Sequence, residues 1–386
     1  MYVYYSGVVI VKAVFSALKN YIRRSDILLL CLCLSCSIFG IILIASATNV
    51  QDTSQFVLVQ SAATVMGICL YFLFSLIDVD IMAQKWKVLY IFSVLFIMSL
   101  QIFGVADNTG NKAWIRFAGI GIQPAEIVKI PFIILLAKLM CHLRETRGLN
   151  NIWSIPQLLA LFGSLFVLII VISSDMGSAL VYAFIFIVML WVGGLKLYWF
   201  IIGSGAVAAI FPYVWNNFFT ERYRQRILAP YDPTIDPTGM DIKYQVNLSR
   251  TAMSHGGLTG SGLFNGTETQ TGTIFAQHTD FIFAVAAEEL GFFGCLLIVG
   301  LLAAIIIRCI YVGSRAKDSM GMLVCVGIAA MLIFQTLENI GMCIGLTPVI
   351  GLTLPFFSYG GSSIITLYAA MGIVSGIKMR SMTRRY

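Results

Sequence analysis

Asp280 is the carboxylate of this chain best placed to do chemistry. It closes the run Gln277-His278-Thr279-Asp280 and stands directly before the apolar stretch that begins Phe281-Ile282-Phe283-Ala284. An acid where a polar segment meets a membrane-length apolar one is costly to hold, and it can serve as a general base or an ion ligand. The same position suits the N-cap of the following helix, and position alone leaves the two readings level. Glu288 and Glu289 follow on the same apolar stretch, on the order of 12 Å deeper at helical rise. At that depth, hydrogen-bonded pairing with a polar residue of another span is the better reading for them.

Other charged and aromatic groups fall into compact sets. Asp175 sits at the tip of the tight turn Ser173-Ser174-Asp175-Met176-Gly177-Ser178. Gln123-Pro124 opens a helix on which Glu126 and Lys129 lie three apart, close enough to form an intramembrane ion pair that fixes helix packing. Lys112 and Arg116 flank Trp114. That trio suits a sugar or phosphate, with the indole as a stacking face, and equally an aromatic belt with flanking charges. Arg222, Arg224 and Arg226 alternate just past a span rich in Trp and Phe, so they read either as phosphate ligands or as interfacial anchors. His255 and His278 have no partner at ligand spacing, and the nine cysteines lie in or beside apolar runs, so no metal site is expected from them. There is no P-loop, dinucleotide fingerprint or HExxH motif.

The elements that must position these groups are set by composition. Hydrophobic residues make up 59% of the 386 and charged ones 11%, with a mean hydropathy of +0.89. This is an all-α polytopic membrane protein, its apolar residues gathered in blocks about as long as a bilayer core is thick. The runs fall near 27–47, 56–77, 88–104, 125–143, 156–173, 178–195, 198–219, 281–312, 320–346 and 362–377, giving about ten transmembrane helices. The first run is too long for a signal peptide and reads as a retained span.

An even count places both termini on one side. Lys and Arg concentrate at 12–24, 85–87, 138–147, 196, 308–317 and 378–385, which puts that side in the cytoplasm. The formal charge of +7 thereby finds its explanation in topology, and no nucleic-acid partner is implied. The remaining basic residues cluster outside at 112–129 and 222–250, as an anionic ligand on the outer face would require. The expected organisation is a cytoplasmic segment 1–26, a ten-span membrane domain 27–377 and a basic cytoplasmic tail 378–386. A large extracytoplasmic loop, 220–280, joins spans seven and eight and is too long for a simple connection. Before the last span, Leu354-Pro355-Phe356 and Gly360-Gly361 break helical periodicity, and such backbone must be buried in protein or line a cavity. Four outward segments, around residues 112–129, 173–179, 220–280 and 351–363, are positioned to converge on one cleft.

Ordered motifs tie these observations to a known family. Trp114-Ile115 with Gln123-Pro124-Ala125-Glu126 and Lys129 comes first, then Asp175-x-Gly177-x-Ala179, then Gly256-Gly257-Leu258 with Gly262. His278-Thr279-Asp280-Phe281 with Glu288-Glu289-Leu290-Gly291, Asn339-Ile340-Gly341-Met342, and Leu354-Pro355-Phe356 with Ser358-Tyr359-Gly360-Gly361-Ser362-Ser363 complete the series. With them the chain resembles the SEDS proteins of the RodA, FtsW and SpoVE types over nearly its whole length. It departs from the family pattern at Phe275-Ala276, Ala113, Ser254, Ser261 and Ser173-Ser174.

The resemblance implies a peptidoglycan glycosyltransferase that polymerises lipid II on the outer face of the cytoplasmic membrane, for elongation or division, beside a class B penicillin-binding protein. It implies Asp280 as the catalytic base that takes the proton of a sugar hydroxyl. Lys112, Trp114, Arg116, Gln123, Glu126, Lys129, Asp175, Arg222, Arg224, His278, Thr279, Ser358 and Ser362 are then expected to bind substrate. The outer cations, with or without a divalent ion such as magnesium or manganese, would stabilise the departing diphosphate. A rival reading is a flippase for the same lipid, with a polar path assembled from Glu126, Lys129, Glu288, Glu289 and Glu338. A third is a scaffold that only recruits a synthase, for which the outer carboxylates would be freely replaceable.

Overall fold

Each of the ten hydrophobic runs folds as helix in the computed structural model, which describes residues 21, 23–49, 54–105, 112–117 and 120–382. Lys12, Lys19, Arg384 and Arg385, expected to mark the cytoplasmic ends, lie outside the described residues. The helices are α1 Ile27–Ala47, α2 Ser54–Leu76, α3 Val79–Gln84, α4 Trp86–Met98 and α5 Leu100–Phe103, then α6 Pro124–Thr146 and α7 Ile155–Leu168. After a π-helical turn at Ile169–Ser173 come α8 Met176–Val192 and α9 Leu197–Asn217. The loop helices α10 Glu221–Leu228, α11 Tyr244–Gly256 and α12 Thr267–Thr271 precede α13 Ile282–Ser314, α14 Ser319–Ile344 and α15 Gly361–Met382.

Among the described residues, eight helical stretches are long and apolar enough to cross a membrane, so the protein is multi-pass. The other two runs are α6, which has the length but carries Glu126, Lys129, Lys138, Arg144 and Glu145, and α8, which has 17 residues. One element has no helical counterpart in the sequence reading. Gly104–Val105 (β1), Trp114–Phe117 (β2) and Ile120–Ile122 (β3) form a small antiparallel sheet in the order β1-β2-β3.

Helices α14 and α15 form the centre, with 72% and 83% of their apolar windows buried, whereas α9 buries none. Close approach of α15 to α2 depends on glycine. A methyl on Gly372 would lie 2.5 Å from the Tyr71 carbonyl and one on Gly376 2.7 Å from that of Ser75, as the small-xxx-small spacing anticipates. At the end of the bundle where α1 begins, Asp26 caps α1 by accepting from Leu29 N and is fully buried. Its carboxylate takes Arg308 of α13 at 2.8 Å and Lys378 of α15 at 3.2 Å. Tyr71 of α2 donates to its carbonyl and Ser375 of α15 accepts from its N–H. A buried carboxylate is tolerable only when paired in this way, so one acid ties four helices together.

Helix α13 is broken at Gly291, whose φ of 68° and ψ of −165° lie outside helical space. The freed backbone groups are met by the glycine run of the preceding loop. Ser261 N donates to Glu288 O at 3.0 Å and Gly262 N to Glu289 O at 2.9 Å, while Phe292 N donates to Gly257 O at 3.0 Å. Backbone lies on backbone here, and a methyl on Gly260 would fall 2.1 Å from Glu289 O at a φ of +80°. Gly260→Ala therefore lowers the melting temperature of the detergent-solubilised protein, by overpacking and left-handed strain of roughly 2–4 kcal/mol together. Gly203→Ala in α9, where nothing lies within 4 Å of the added methyl, leaves the melting temperature unchanged or raises it.

Candidate active site around Asp280

The half-helix before the Gly291 break starts from an unusually well-held piece of irregular backbone. Ala276 takes a left-handed φ of 55°, which turns its carbonyl to accept from Thr279 N at 3.1 Å and Asp280 N at 3.0 Å. The carbonyls of His278, Thr279 and Asp280 each take a donor from outside the segment. Tyr359 N donates to His278 O at 2.9 Å, Ser358 Oγ to Thr279 O at 2.5 Å, and Asn339 Nδ2 to Asp280 O at 2.8 Å. The cap position of α13 is Phe281, with no side-chain cap bond. Asp280 therefore does not spend its carboxylate on capping, and of the two readings that position allowed, the structure removes this one.

Three other segments close around it. The backbone before α15 runs through Leu354, Pro355, Phe356 and Phe357, all buried against α1, where a methyl on Gly40 would meet Phe357 Cα at 2.7 Å. Ser358 also accepts from Leu354 N, and Gln60 of α2 brackets the turn by donating to Ser358 O and accepting from Gly360 N. Gly351, at a φ of +71°, brings this loop so near Asp280 that a methyl there would lie 3.4 Å from Oδ2. On the far side, Gly177 at the start of α8 packs on Ile350 O, which places Asp175 beside the same loop. Asp175 caps α8 through Ser178 N and Oγ, and it accepts Gln123 Nε2 at 2.6 Å. Gln123 N in turn donates to Ser362 Oγ at 3.3 Å.

Gln123, Asp175, His278, Thr279, Asp280, Ser358 and Ser362 thus belong to one knot of four chain segments, as the sequence suggested. The β-sheet leads into it, since extending the pairing of Ile115 with Ile122 by one residue sets Gln123 opposite Trp114. Trp114 lies over Gly121, whose added methyl would touch the indole at 3.1 Å, and Lys112 and Arg116 are exposed beside it. The remaining expected residues are placed differently. Lys129 is fully buried and pairs with Glu126 at 2.5 Å, so both are occupied with each other inside α6. Arg224 holds Asn216 O at the end of α9 and Glu221 of its own helix, and Arg222 lies 3.9 Å from Asp241 of the same loop. His278, within the knot, packs its ring at a tilt against Phe56 and Tyr359, and burial pushes its imidazole below the usual range.

No Lys or Arg forms an ion pair with Asp280 among the described residues. Burial raises its carboxyl from the ordinary range, Thr279 pulls it back by hydrogen bonding and the charge of Asp175 adds to the rise, leaving it at about 6. A carboxylate so tuned is a competent base near neutral pH, because its proton affinity approaches the working pH while its basic form still dominates.

Glu288 and Glu289 are structural. Glu288 accepts from Glu268 N, Thr269 N and Thr269 Oγ1 at the start of α12, and Glu289 accepts from Ser46 Oγ of α1 at 2.6 Å and from Gln270. Gln60 and Asn339 were not singled out as site residues. Their signal was available, for both are amides inside membrane-length apolar helices, where polar groups carry a cost.

The family profile described as "Cell cycle protein" (FtsW, RodA, SpoVE) matches residues 26–383. The peptidoglycan glycosyltransferase MrdB of Escherichia coli K12 is 34% identical over 75% of this chain and 76% of its own. The probable peptidoglycan glycosyltransferase FtsW of Trichlorobacter lovleyi is 33% identical over 93% and 95%. Among solved structures, a chain of a peptidoglycan synthase complex that coordinates polymerization and crosslinking superposes with a TM-score of 0.79 at 29% identity, covering 93% of this chain and 99% of that one. The rod shape determining protein RodA of Thermus thermophilus does so with 0.68 at 27%, covering 93% and 98%.

If Asp280 carries the reaction, its rate falls as pH drops through about 6. Asp175→Asn removes a negative charge that raises the carboxyl of Asp280, so the acid limb of the pH–rate profile moves to lower pH. Initial rates of the purified protein between pH 4.5 and 8 would show an unmoved limb if the two acids do not communicate.

Proposed function

The chain belongs to the FtsW, RodA and SpoVE family, and from that premise we infer that it is a peptidoglycan glycosyltransferase of the bacterial cytoplasmic membrane that polymerises lipid II. Both termini lie in the cytoplasm in this reading, and the knot around Asp280 faces outward. Asp280 takes the proton from the 4-hydroxyl of the incoming lipid-linked disaccharide. The oxygen bonds to the anomeric carbon of the growing glycan as the bond from that carbon to the lipid diphosphate breaks. Chain growth then needs the base held still and the leaving group neutralised.

What carries the assignment to Asp280 is the contrast between its backbone and its side chain. Three successive carbonyls from His278 to Asp280 are fixed by three donors, while the carboxylate has no cationic partner among the described residues. Preorganisation of this kind lowers a barrier because the base does not have to be ordered during reaction. Lys112 and Arg116, exposed beside Trp114 on the sheet that leads to Gln123, are the cations we assign to the diphosphate or sugar. The described residues hold no set of three acidic, Cys or His side chains that would cage a metal. A magnesium or manganese ion would be held mainly by the substrate's own phosphates, as magnesium commonly is, and would add charge stabilisation at the leaving group.

A transporter of the same lipid needs a polar path through the bundle. Glu126 and Lys129 neutralise each other, and Glu288 and Glu289 are tied to α12 and α1, so these acids stand as separate structural pairs. For a partner we propose a class B penicillin-binding protein that crosslinks the product, supported by the likeness to a chain of a synthase complex.

Asp280→Asn is expected to cut glycan polymer formation from purified lipid II by roughly 10²-fold or more, with the transpeptidase present and still co-purifying. Wild-type polymer yield from that variant would refute the role of Asp280. Lipid movement across vesicles without polymer, from the unmodified protein, would favour transport.

A further inference from the structure

Asn339 lies on α14, fully buried, and both hydrogens of its carboxamide are committed. Nδ2 donates to Asp280 O at 2.8 Å and to Leu352 O at 2.7 Å. These carbonyls belong to two different loops, and no backbone N–H in the described residues donates to either. Cys343, one turn further along α14, reaches the same Asp280 carbonyl only through its thiol, at 3.9 Å. The cost of the arrangement is visible, because the Asn339 Oδ1 is buried without a partner among the described residues, and an orphaned acceptor of that kind destabilises a fold. An apolar side chain would avoid it, at the expense of both carbonyls.

The geometry of this bridge has a specific consequence. Leu352 is the neighbour of Gly351, whose backbone stands against Asp280 Oδ2. One carboxamide therefore sets the main chain that carries the carboxylate and also the wall the carboxylate faces. We propose that Asn339 is a positioning residue for the glycosyl transfer, fixing Asp280 relative to the loop of residues 351–354 without touching substrate. The proposal rests on the reading of Asp280 as the base. Asparagine suits the task because one planar NH2 group offers two diverging donors from a single short stem. Aspartate has the same shape but offers none when ionised, and alanine removes the bridge altogether.

The test compares wild type, Asp280→Asn, Asn339→Ala and Asn339→Asp, each purified with the transpeptidase and assayed on lipid II. Displacement of a catalytic group by about 1 Å costs on the order of 10²-fold. Both Asn339 variants are accordingly expected to lose roughly 10- to 100-fold in kcat per folded enzyme, with KM for lipid II unchanged and transpeptidase co-purification retained, while the melting temperature falls because two buried carbonyls lose their donor. Wild-type kcat in either variant would overturn the proposal. So would a loss that merely tracks the fraction of folded protein in both, or one confined to KM. Failure of the underlying reading looks different, since then wild type makes no polymer or Asp280→Asn still makes it.

Discussion

Irregular backbone inside a membrane protein must have its N–H and C=O groups satisfied by protein, and that single constraint organises this structure. Two stretches leave helical geometry between apolar helices, one through Ala276 to Phe281 and one through Ile350 to Gly360. Each supplies part of what the other lacks. Tyr359 and Ser358 bond the carbonyls of His278 and Thr279, and Asn339 joins Asp280 to Leu352. Gln60 secures the second stretch from behind. A site assembled from mutual satisfaction is stiff because loosening one stretch strands polar groups in the other.

The same logic governs the charges. Asp26 draws Arg308 and Lys378 onto one buried carboxylate, Glu126 and Lys129 close on each other, and Glu288 takes backbone donors of α12. Each of these acids thus has specific partners that make its burial tolerable. Asp280 differs, sheltered enough for burial to lift its carboxyl to about 6 yet without an ion-pair partner among the described residues. Glycine completes the frame where backbones must touch, as at Gly260 and Gly291, where the loop lies on the broken helix.

Much of this was legible in the sequence, because hydrophobic runs of bilayer length need no tertiary information to be read as helices. The convergence of Gln123, Asp175, Asp280 and Ser362 was legible too, since all lie at the ends of such runs. The burial of Leu354-Pro355-Phe356 followed from the rule that non-helical backbone cannot face lipid. What escaped depended on partners distant in sequence. The small sheet pairs only two to four residues per strand, too few to give a periodic signal. The break at Gly291 sits inside a run long enough to read as one continuous helix, and only the docked glycine loop explains it. Arg308 and Lys378 read as topology markers, and their shared partner Asp26, far from both in the chain, was invisible until α1, α13 and α15 were packed together. Arg222 and Arg224 read equally as phosphate ligands or interfacial anchors, and the sequence did not show their neighbours, Asp241 in the loop and Asn216 at the end of α9.

The central claim is that this frame presents the Asp280 carboxylate to a sugar hydroxyl. It is tested most directly by a structure of the Asp280→Asn protein with its transpeptidase and a lipid-linked disaccharide bound. The account predicts the acceptor 4-hydroxyl within hydrogen-bond reach of residue 280, about 2.6–3.2 Å directly or through one water. The diphosphate should lie toward the sheet that carries Lys112 and Arg116. A substrate seated with that hydroxyl against another acid, and residue 280 turned away from it, would contradict the account.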